Sequence, residues 1–462
     1  MKQHYDMLVV GSGPAGQRAA IQAAKLGKNV GLIERKAKIG GAGLQSGTIP
    51  SKALREVAYA VSHSGSMGMR EAIAKDATVR RGFLAEAIRK KNMVVDQQES
   101  VVLNQLLRNG VALIPGKASF VDEHSLIVQK PRGEKKLLHA DAIVLATGSR
   151  PRRPKHVPFD KERVLDSTSI LHLHHLPKHL VIVGGGVIAC EFACIFAALN
   201  VQVTMIDPHP QILTFLSQDI AIRLSNAMFS MGIEFHMQTE AKSIELIDDG
   251  VRVHTSAEQI LESDCLLYAM GREANIDDLG IDQLGLEQDK RGWLSVNDYF
   301  QTAIPHIYAV GDLIGRPALA ATGMEQGRIA AIHACDAKST LTADHLPMAI
   351  YTIPELSFVG QTEAQLKEKN VDYVVGHGHF KESARGQIIG DNDGMLKLLV
   401  DRQSRKVLGV HIIGESASEL VHIGQIVMNI GANIDCLVEN VFNYPTLAEC
   451  YKMAALECTN QL

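Results

Sequence analysis

Residues 5–10 (YDMLVV) form a short apolar run of strand character. The glycine-rich GSGPAG follows, then a helix-like stretch to about Leu26, and then a second apolar run at 29–34 (NVGLIE). Strand, helix and strand in that order predict a βαβ unit. The pattern returns at 180–207, where LVIV predicts a strand, GGGVIA a turn, CEFACIFAAL a helix and VQVTMID a second strand. The acid that closes the second strand, Glu34 in one copy and Asp207 in the other, stands equally far along the chain from the first glycine, Gly11 or Gly184. The architecture is duplicated, although the two sequences are not an obvious repeat.

Residues 80–109 mix charged and apolar positions at helical spacing and predict a long helix with a polar face. Runs at 111–120 and 137–146 predict strands. RPRRPKHVP (150–158) is proline-rich and basic, as a domain crossing would be, and 340–354 reads as another crossing. Three strand-like runs then fall within 372–413, with helical pattern at 416–430 and 446–457.

Composition narrows the class. A chain of 462 residues gives a soft expectation of about three domains. The net charge of −4 leaves no basic footprint for nucleic acid and no polybasic patch for a membrane. No apolar run reaches the roughly 18 residues that span a bilayer. MKQHYD leads straight into the first strand and leaves no room for a signal peptide, so a cytoplasmic α/β enzyme is expected. The seven cysteines are scattered without zinc-ligand spacing, so neither a disulfide framework nor a metal site is expected.

Each glycine cluster lies between a predicted strand and a predicted helix, which lifts it above a bare glycine pattern. Gly11, Gly13 and Gly16 let the backbone turn tightly and approach a pyrophosphate, and the helix start offers free N–H groups and positive dipole. Glu34 is placed to accept hydrogen bonds from a ribose diol. The second copy uses Gly184, Gly186 and Ala189. Asp207 is expected to hold an unphosphorylated ribose and repel a 2′-phosphate, which favours NAD(H) over NADP(H). His209 is near enough to soften that preference, though a surface histidine is the plainer reading. Two dinucleotide sites in one chain point to a flavin plus a nicotinamide. ATGSRP (146–151) ends a predicted strand in glycine, and IYAVGD (307–312) ends one in Asp312, placed to orient a ribityl chain or reach the phosphates.

On GSGPAG (11–16), GGAGLQSGTIPSK (40–52), ATGSRP, GGGVIACE (184–191), IYAVGD and FNYPTLAE (442–449), the chain resembles the flavoprotein disulfide reductase superfamily over essentially its full length. The resemblance implies an α/β fold with two doubly wound dinucleotide-binding domains, for FAD and NAD, plus a C-terminal α+β dimerisation domain. It places the FAD domain at 1–150 and 273–342, the NAD(P) domain at 151–272 and the dimerisation domain at 343–462, in a homodimer. It implies FAD contacts at Gly11, Gly13, Gly16, Glu34, Arg35, Gly41, Lys52, Gly116, Thr147, Gly148, Asp312, Leu319, Ala320 and Ala321. For the nicotinamide dinucleotide it implies Gly184, Gly186, Glu191, Asp207 and Gly271. Lys52 is expected near the flavin ring and paired with Glu191; with Tyr444 and Glu449 these two are the candidate catalytic residues.

The departures sharpen the reading. The disulfide members carry two cysteines five residues apart in the GG…IPSK segment, where this chain has Gly43 and Thr48. They also carry a His before Pro-Thr near the C-terminus, where this chain has Tyr444. A thiol–disulfide relay needs an attacking thiolate and a base to manage its proton. Lipoamide, glutathione and mercuric reduction are therefore not expected. Cys450 and Cys458, eight apart, would lack an upstream thiol to feed them, and Cys190 and Cys194 read as small hydrophobes on a helix. GTIPSKAL with FNYPT is similar to the soluble pyridine nucleotide transhydrogenases, which typically keep a Cys at the Gly43 position. The expectation is an FAD enzyme taking hydride from NAD(P)H and passing it from flavin directly to NADP or another acceptor. A NADH:quinone or dye oxidoreductase is the alternative within enzymes. A nucleotide-binding flavoprotein scaffold or sensor is the alternative outside them, against which Lys52, Glu191 and Glu449 argue.

Overall fold

The computed structural model describes residues 3–63, 72–73, 75–315, 317–337 and 345–462. The N-terminal strand Gln3–Val10 is buried almost throughout from Tyr5 onward, which is why it reads as a continuous apolar run. It lies between the parallel strands Val30–Glu34 and Lys135–Leu145. Ala112–Pro115 extends this sheet beyond Val30–Glu34. Ile307–Ala309 pairs in parallel with the end of Lys135–Leu145. The start of that long strand pairs antiparallel with Ser125–Gln129, which in turn pairs with Lys117–Asp122. The run expected as one strand at 111–120 is thus two strands, broken at Gly116, whose φ of 151° ends the first. The first βαβ unit, the long helix and the strand expected at 137–146 fall close to where the pattern puts them, whereas Gly41–Gln45 and Ser125–Gln129 are not expected from it.

The second βαβ unit forms a five-stranded parallel sheet, ordered Ile233–Met237, Gln202–Asp207, His179–Val183, Cys265–Tyr268, Val164–Leu165. The proline-rich segment at 150–158 does not run as a bare linker. Ser149–Pro151 pairs antiparallel with Arg272–Ala274, so the outgoing and returning chain form one two-stranded ribbon. Arg150 ties this ribbon through Glu273 and Asp277. The expected crossing at 340–354 is described only from residue 345, and 340–344 lie outside the described residues, as does the expected boundary at 342/343. The C-terminal portion is a five-stranded antiparallel sheet that includes all three strands expected at 372–413. Helices Ala417–Asn429 and Glu449–Thr459 pack on it; the second starts three residues later than expected.

One apolar core joins these parts. It contains Leu54 and Leu84, Phe196 and Leu267, and Ile350 and Met395. The long helix Ala77–Arg108 is capped by Asp76, whose Oδ1 accepts from the N–H groups of Thr78 and Val79. Its face is less polar than expected, because Lys91 is buried and donates to the carbonyl of Leu171 at 2.7 Å. A second buried cation joins the parallel sheet's flank to the C-terminal sheet. Lys397 is 1 % exposed and donates to Ser217 Oγ at 3.2 Å, Asp219 Oδ2 at 2.9 Å, and Glu363 Oε1. Burial raises the carboxyl pKa of Asp219 and of Glu363, but hydrogen bonds, that from Lys397 among them, bring both below the ordinary range.

Lys397→Met should therefore destabilise the chain. Its partners' side chains are 36 % and 30 % exposed, so water can rescue them and the loss falls below the full cost of a broken buried pair, at about 2 kcal/mol. Calorimetry should show this difference in full above about pH 4.5, where the carboxylates are charged in the unfolded chain too. Because their native pKa values are lowered, the difference should close as acid protonates them.

Candidate active site

Two helix starts converge at the carboxyl ends of the first sheet. Helix Pro14–Lys25 begins after Gly13, and helix Ala320–Ala334 after Leu319; neither has a side-chain cap. Their free N–H groups and aligned dipoles form an anion cradle. The approach depends on missing side chains. A Cβ on Gly16 would stand 1.9 Å from the Gly11 carbonyl oxygen, and one on Gly327 would stand 2.1 Å from that of Ala15. Asp312 lies in the turn after Ile307–Ala309 and accepts from Ser149 Oγ at 2.6 Å, with Arg272 donating to the same Ser149 Oγ at 2.8 Å. Gly148, on the adjoining loop, has φ of 67° and open space where a Cβ would project.

Glu34 works first on the protein itself. Its Oε2 accepts from the Ser12 N–H at 3.0 Å and Ser12 Oγ at 2.6 Å, and its Oε1 accepts from the Lys36 N–H at 2.8 Å. Of roughly four acceptor positions on a carboxylate, one remains for a ribose hydroxyl. Ser12 Oγ also accepts from the Gly40 N–H at 2.9 Å, which binds the GGAGLQSGTIPSK segment to the glycine loop. Gly41 sits against Gly13, where a Cβ would be 2.6 Å from the Gly13 Cα. Gly116 donates its N–H to the Glu34 carbonyl at 2.9 Å, and Arg35 is exposed.

The second copy repeats this device. Asp207 Oδ2 accepts from the Gly185 N–H at 2.5 Å, and Oδ1 accepts from the His209 N–H at 2.9 Å and contacts His209 Nδ1 at 2.7 Å. Helix Val187–Ala198 starts at the uncapped Gly186, beyond which a Cβ would meet nothing within 4 Å; the same holds at Gly271. The adjoining cleft of about 160 Å³ is lined by Val183, Ile206, Pro208, Thr239, Lys242 and Met270, among others. It opens at the carboxyl ends of the parallel strands, where open α/β sheets take ligands.

Between the two loops Lys52 donates to Glu191 Oε2 at 2.6 Å and Oε1 at 2.8 Å. Glu191 is 5 % exposed and also accepts the Tyr351 N–H at 2.9 Å. The Lys52 ammonium stands 4.8 Å over the Tyr351 ring. Gly43 and Thr48 occupy the short helix Gly41–Gln45 and the first position of helix Thr48–His63. All seven cysteines are free and none lies in this segment. Cys190 and Cys194 are fully buried beside one another on their helix. Burial pushes the Cys450 and Cys458 thiols up to about 12, so both are packing groups under the C-terminal sheet. Tyr444 is 74 % exposed and stands apart from the Lys52 cluster; Glu449 begins the last helix with Oε2 buried and unpartnered.

Several participants are not singled out by the sequence. Ser12 and Ser149 lie inside the glycine motifs but show their roles only through contacts, Arg272 and Asn275 carry no motif, and Tyr351 lies in a segment that reads as a linker. Asn275 donates to the Thr147 carbonyl at 3.0 Å, while Thr147 Oγ1 and Asn275 Oδ1 are buried without partners. Orphaned polar atoms beside two uncapped helix starts and a loop stripped of side chains fit a polar, phosphate-bearing dinucleotide such as FAD.

Comparison with known proteins agrees. Residues 5–327 match the pyridine nucleotide-disulphide oxidoreductase model and residues 346–455 the dimerisation domain of the same name. A soluble pyridine nucleotide transhydrogenase from Mycobacterium bovis (strain BCG / Pasteur 1173P2) is 44% identical over 462 residues, covering 100% of this chain and 98% of the relative. One from Shigella boydii serotype 18 is 43% identical, covering 99% and 98%. Among solved structures, the HOCl-induced flavoprotein disulfide reductase RclA from Escherichia coli superposes with TM-score 0.87 at 28% identity, over 98% of this chain and 99% of that one. LpdA from Mycobacterium tuberculosis gives 0.89 at 25%, over 98% and 99%. With two family models spanning nearly its whole length and relatives this similar along it, the chain belongs to the pyridine nucleotide-disulphide oxidoreductase family.

Proposed function

We propose that this protein is a cytoplasmic, homodimeric, FAD-dependent NAD(P) transhydrogenase, exchanging hydride equivalents between the NAD(H) and NADP(H) pools without a thiol relay. The observation that carries the reading is the pair Gly43 and Thr48 on the segment that Ser12 binds to the glycine loop, with every cysteine elsewhere. The name belongs to relatives 43–44% identical over the full chain. In this reading residues 1–150 and 273–342 hold FAD, 151–272 hold the nicotinamide nucleotide, and 343–462 make the dimer. Among the described residues no helix is long and apolar enough to cross a membrane.

FAD, when bound, supplies the reversible two-electron chemistry. The chain's residues supply place and charge. With FAD bound, the helix starts at Gly13 and at Leu319, Ala320 and Ala321 would take the phosphates, Glu34 would accept from a ribose hydroxyl, and Thr147 and Asp312 would orient the ribityl chain. Lys52 would hold a fixed positive charge near the ring and favour negative charge developing there. Glu191 and Tyr351 keep that ammonium from swinging away, and Gly184, Gly186, Asp207 and Gly271 align the nicotinamide nucleotide. Tyr444, a phenol on an exposed loop, would cover the flavin site of the partner subunit in the dimer and exclude water, and Glu449 is retained at the start of the last helix. A second reading, NADH:quinone or dye oxidoreductase, is favoured by one observation, the carboxylate of Asp207 where a 2′-phosphate would lie.

Three outcomes test the reading. The purified protein should release FAD on denaturation; FMN, or no flavin after FAD-replete expression, would count against it. Anaerobic reduction by NADH should give reduced flavin without the long-wavelength band of a thiolate–flavin complex, and lipoamide and glutathione disulfide should not be turned over. A robust disulfide reductase rate surviving Cys450→Ser and Cys458→Ser would overturn the thiol-free pathway. Lys52→Met should lower the rate of flavin reduction by about 10²-fold, the scale of losing one preorganised charge at a reacting centre, while stopped-flow spectra show FAD still bound. Loss of less than about threefold would remove Lys52 from the catalytic group.

A further inference from the structure

The transhydrogenase reading contains a conflict at one carboxylate. NADP(H) must bring a 2′-phosphate to the end of strand Gln202–Asp207, where Asp207 is negative and 5 % exposed. Like charges there oppose binding. The structure also places a titratable partner on that carboxylate. His209 Nδ1 is 2.7 Å from Asp207 Oδ1, and the His209 N–H donates to the same oxygen at 2.9 Å. The backbone is fixed as well, since the His209 carbonyl accepts from the Gln238 N–H at 3.0 Å. The imidazole side chain is nonetheless 62 % exposed, so a proton and a ligand can both reach it. With Nδ1 engaged on Asp207, Nε2 is the ring nitrogen left for a ligand.

We propose that the Asp207–His209 pair is a proton-operated selector for the 2′-phosphate, resting on the transhydrogenase reading above. With the imidazole neutral and its Nδ1 proton on Asp207, the pair carries one negative charge and Nε2 presents a lone pair, which admits a ribose diol and rejects a phosphate. With the imidazole protonated, the pair is neutral and Nε2–H donates to a phosphate oxygen. The sign is fixed: discrimination against the 2′-phosphate is greatest at high pH and relaxes as pH falls. Among the described residues, Cys190 on the adjoining helix feels the Asp207 charge, Glu240, Lys242 and His156 line the cleft bordered by Pro208, with Lys242 paired to Glu258, and the uncapped start of Val187–Ala198 adds a fixed positive end.

The selector itself is read from binding, without turnover, and flavin reduction by NADPH is used only to separate it from the transhydrogenase reading. Calorimetry on the holoenzyme would compare 2′,5′-ADP with 5′-AMP, a pair whose affinity ratio isolates the 2′-phosphate, between pH 6 and 8. The ratio in favour of 2′,5′-ADP should rise about tenfold toward pH 6 in the wild type, the scale of one charge-assisted hydrogen bond. A phosphate monoester itself titrates near pH 6, so the exposed His209→Asn variant supplies the control: it keeps the share of the pH effect that comes from the ligand and should lose the rest of the acid gain. His209→Arg should bind 2′,5′-ADP as well at pH 8 as at pH 6. The same ratio-against-pH curve in wild type and His209→Asn would overturn the selector. If NADPH still reduces the flavin in that case, the transhydrogenase reading survives without it. If 2′,5′-ADP gains nothing over 5′-AMP at any pH and NADPH fails to reduce the flavin, selector and transhydrogenase reading fall together.

Discussion

A carboxylate buried in the middle of the molecule sets the terms for the rest. Glu191 is held in a nearly dry position by the Lys52 ammonium and the Tyr351 N–H. An unpaired charge there would cost several kcal/mol, so the three parts of the chain that satisfy it cannot drift apart cheaply. Helix Thr48–His63 supplies Lys52 and also Arg55, which donates twice to the Thr352 carbonyl. The same helix therefore grips the nucleotide-loop helix Val187–Ala198 on one side and the entry to the C-terminal sheet on the other. Lys397 repeats the arrangement farther out, with its two acids on either side of that junction. Lys52 ties the two glycine-loop regions together, and Lys397 ties the second of them to the C-terminal sheet.

That geometry keeps the charge of a disulfide reductase and drops its sulfur chemistry. The lysine, the acid and the two glycine loops remain, while glycine and threonine occupy positions that a relay would need as thiols. The remaining cysteines do not compensate, since burial removes the thiolate from Cys190, Cys194, Cys450 and Cys458. Reducing equivalents that enter such a site have to leave through the flavin itself. The acids at the strand ends are largely occupied by the protein itself: Glu34 holds Ser12 and the Lys36 N–H, and Asp207 holds the Gly185 N–H and His209, so ligand recognition there is left to a few remaining positions and, beside Asp207, to His209.

Much of this was legible in the sequence because it rests on short-range pattern. Apolar runs before glycine clusters gave the two βαβ units, and acids at matched separations marked Glu34 and Asp207. The Lys52–Glu191 pairing came from family resemblance rather than from spacing, since the two residues are far apart in the chain. Contacts made only by tertiary folding were invisible. Tyr351 sits in a proline-flanked stretch with linker composition, and its N–H and ring matter only because the C-terminal sheet packs against helix Thr48–His63. The ribbon of Ser149–Pro151 with Arg272–Ala274 was missed because proline and arginine outweighed any strand signal, and the pairing partner lies on the far side of an inserted sheet. Lys91 falls on a helix expected to have a polar face, and nothing in the strand-like run around Lys397 marks it; only the folded environment buries them.

In the proposed transhydrogenase, electrons pass from reduced flavin straight to a second nicotinamide nucleotide. An anaerobic double-mixing experiment, in which NADPH reduces the protein and NAD is then added, tests this transfer. NAD should reoxidise the flavin with stoichiometric formation of NADH, unchanged when exposed thiols have been alkylated. A flavin that stays reduced in the presence of NAD, yet is reoxidised by a quinone or a disulfide, would contradict it.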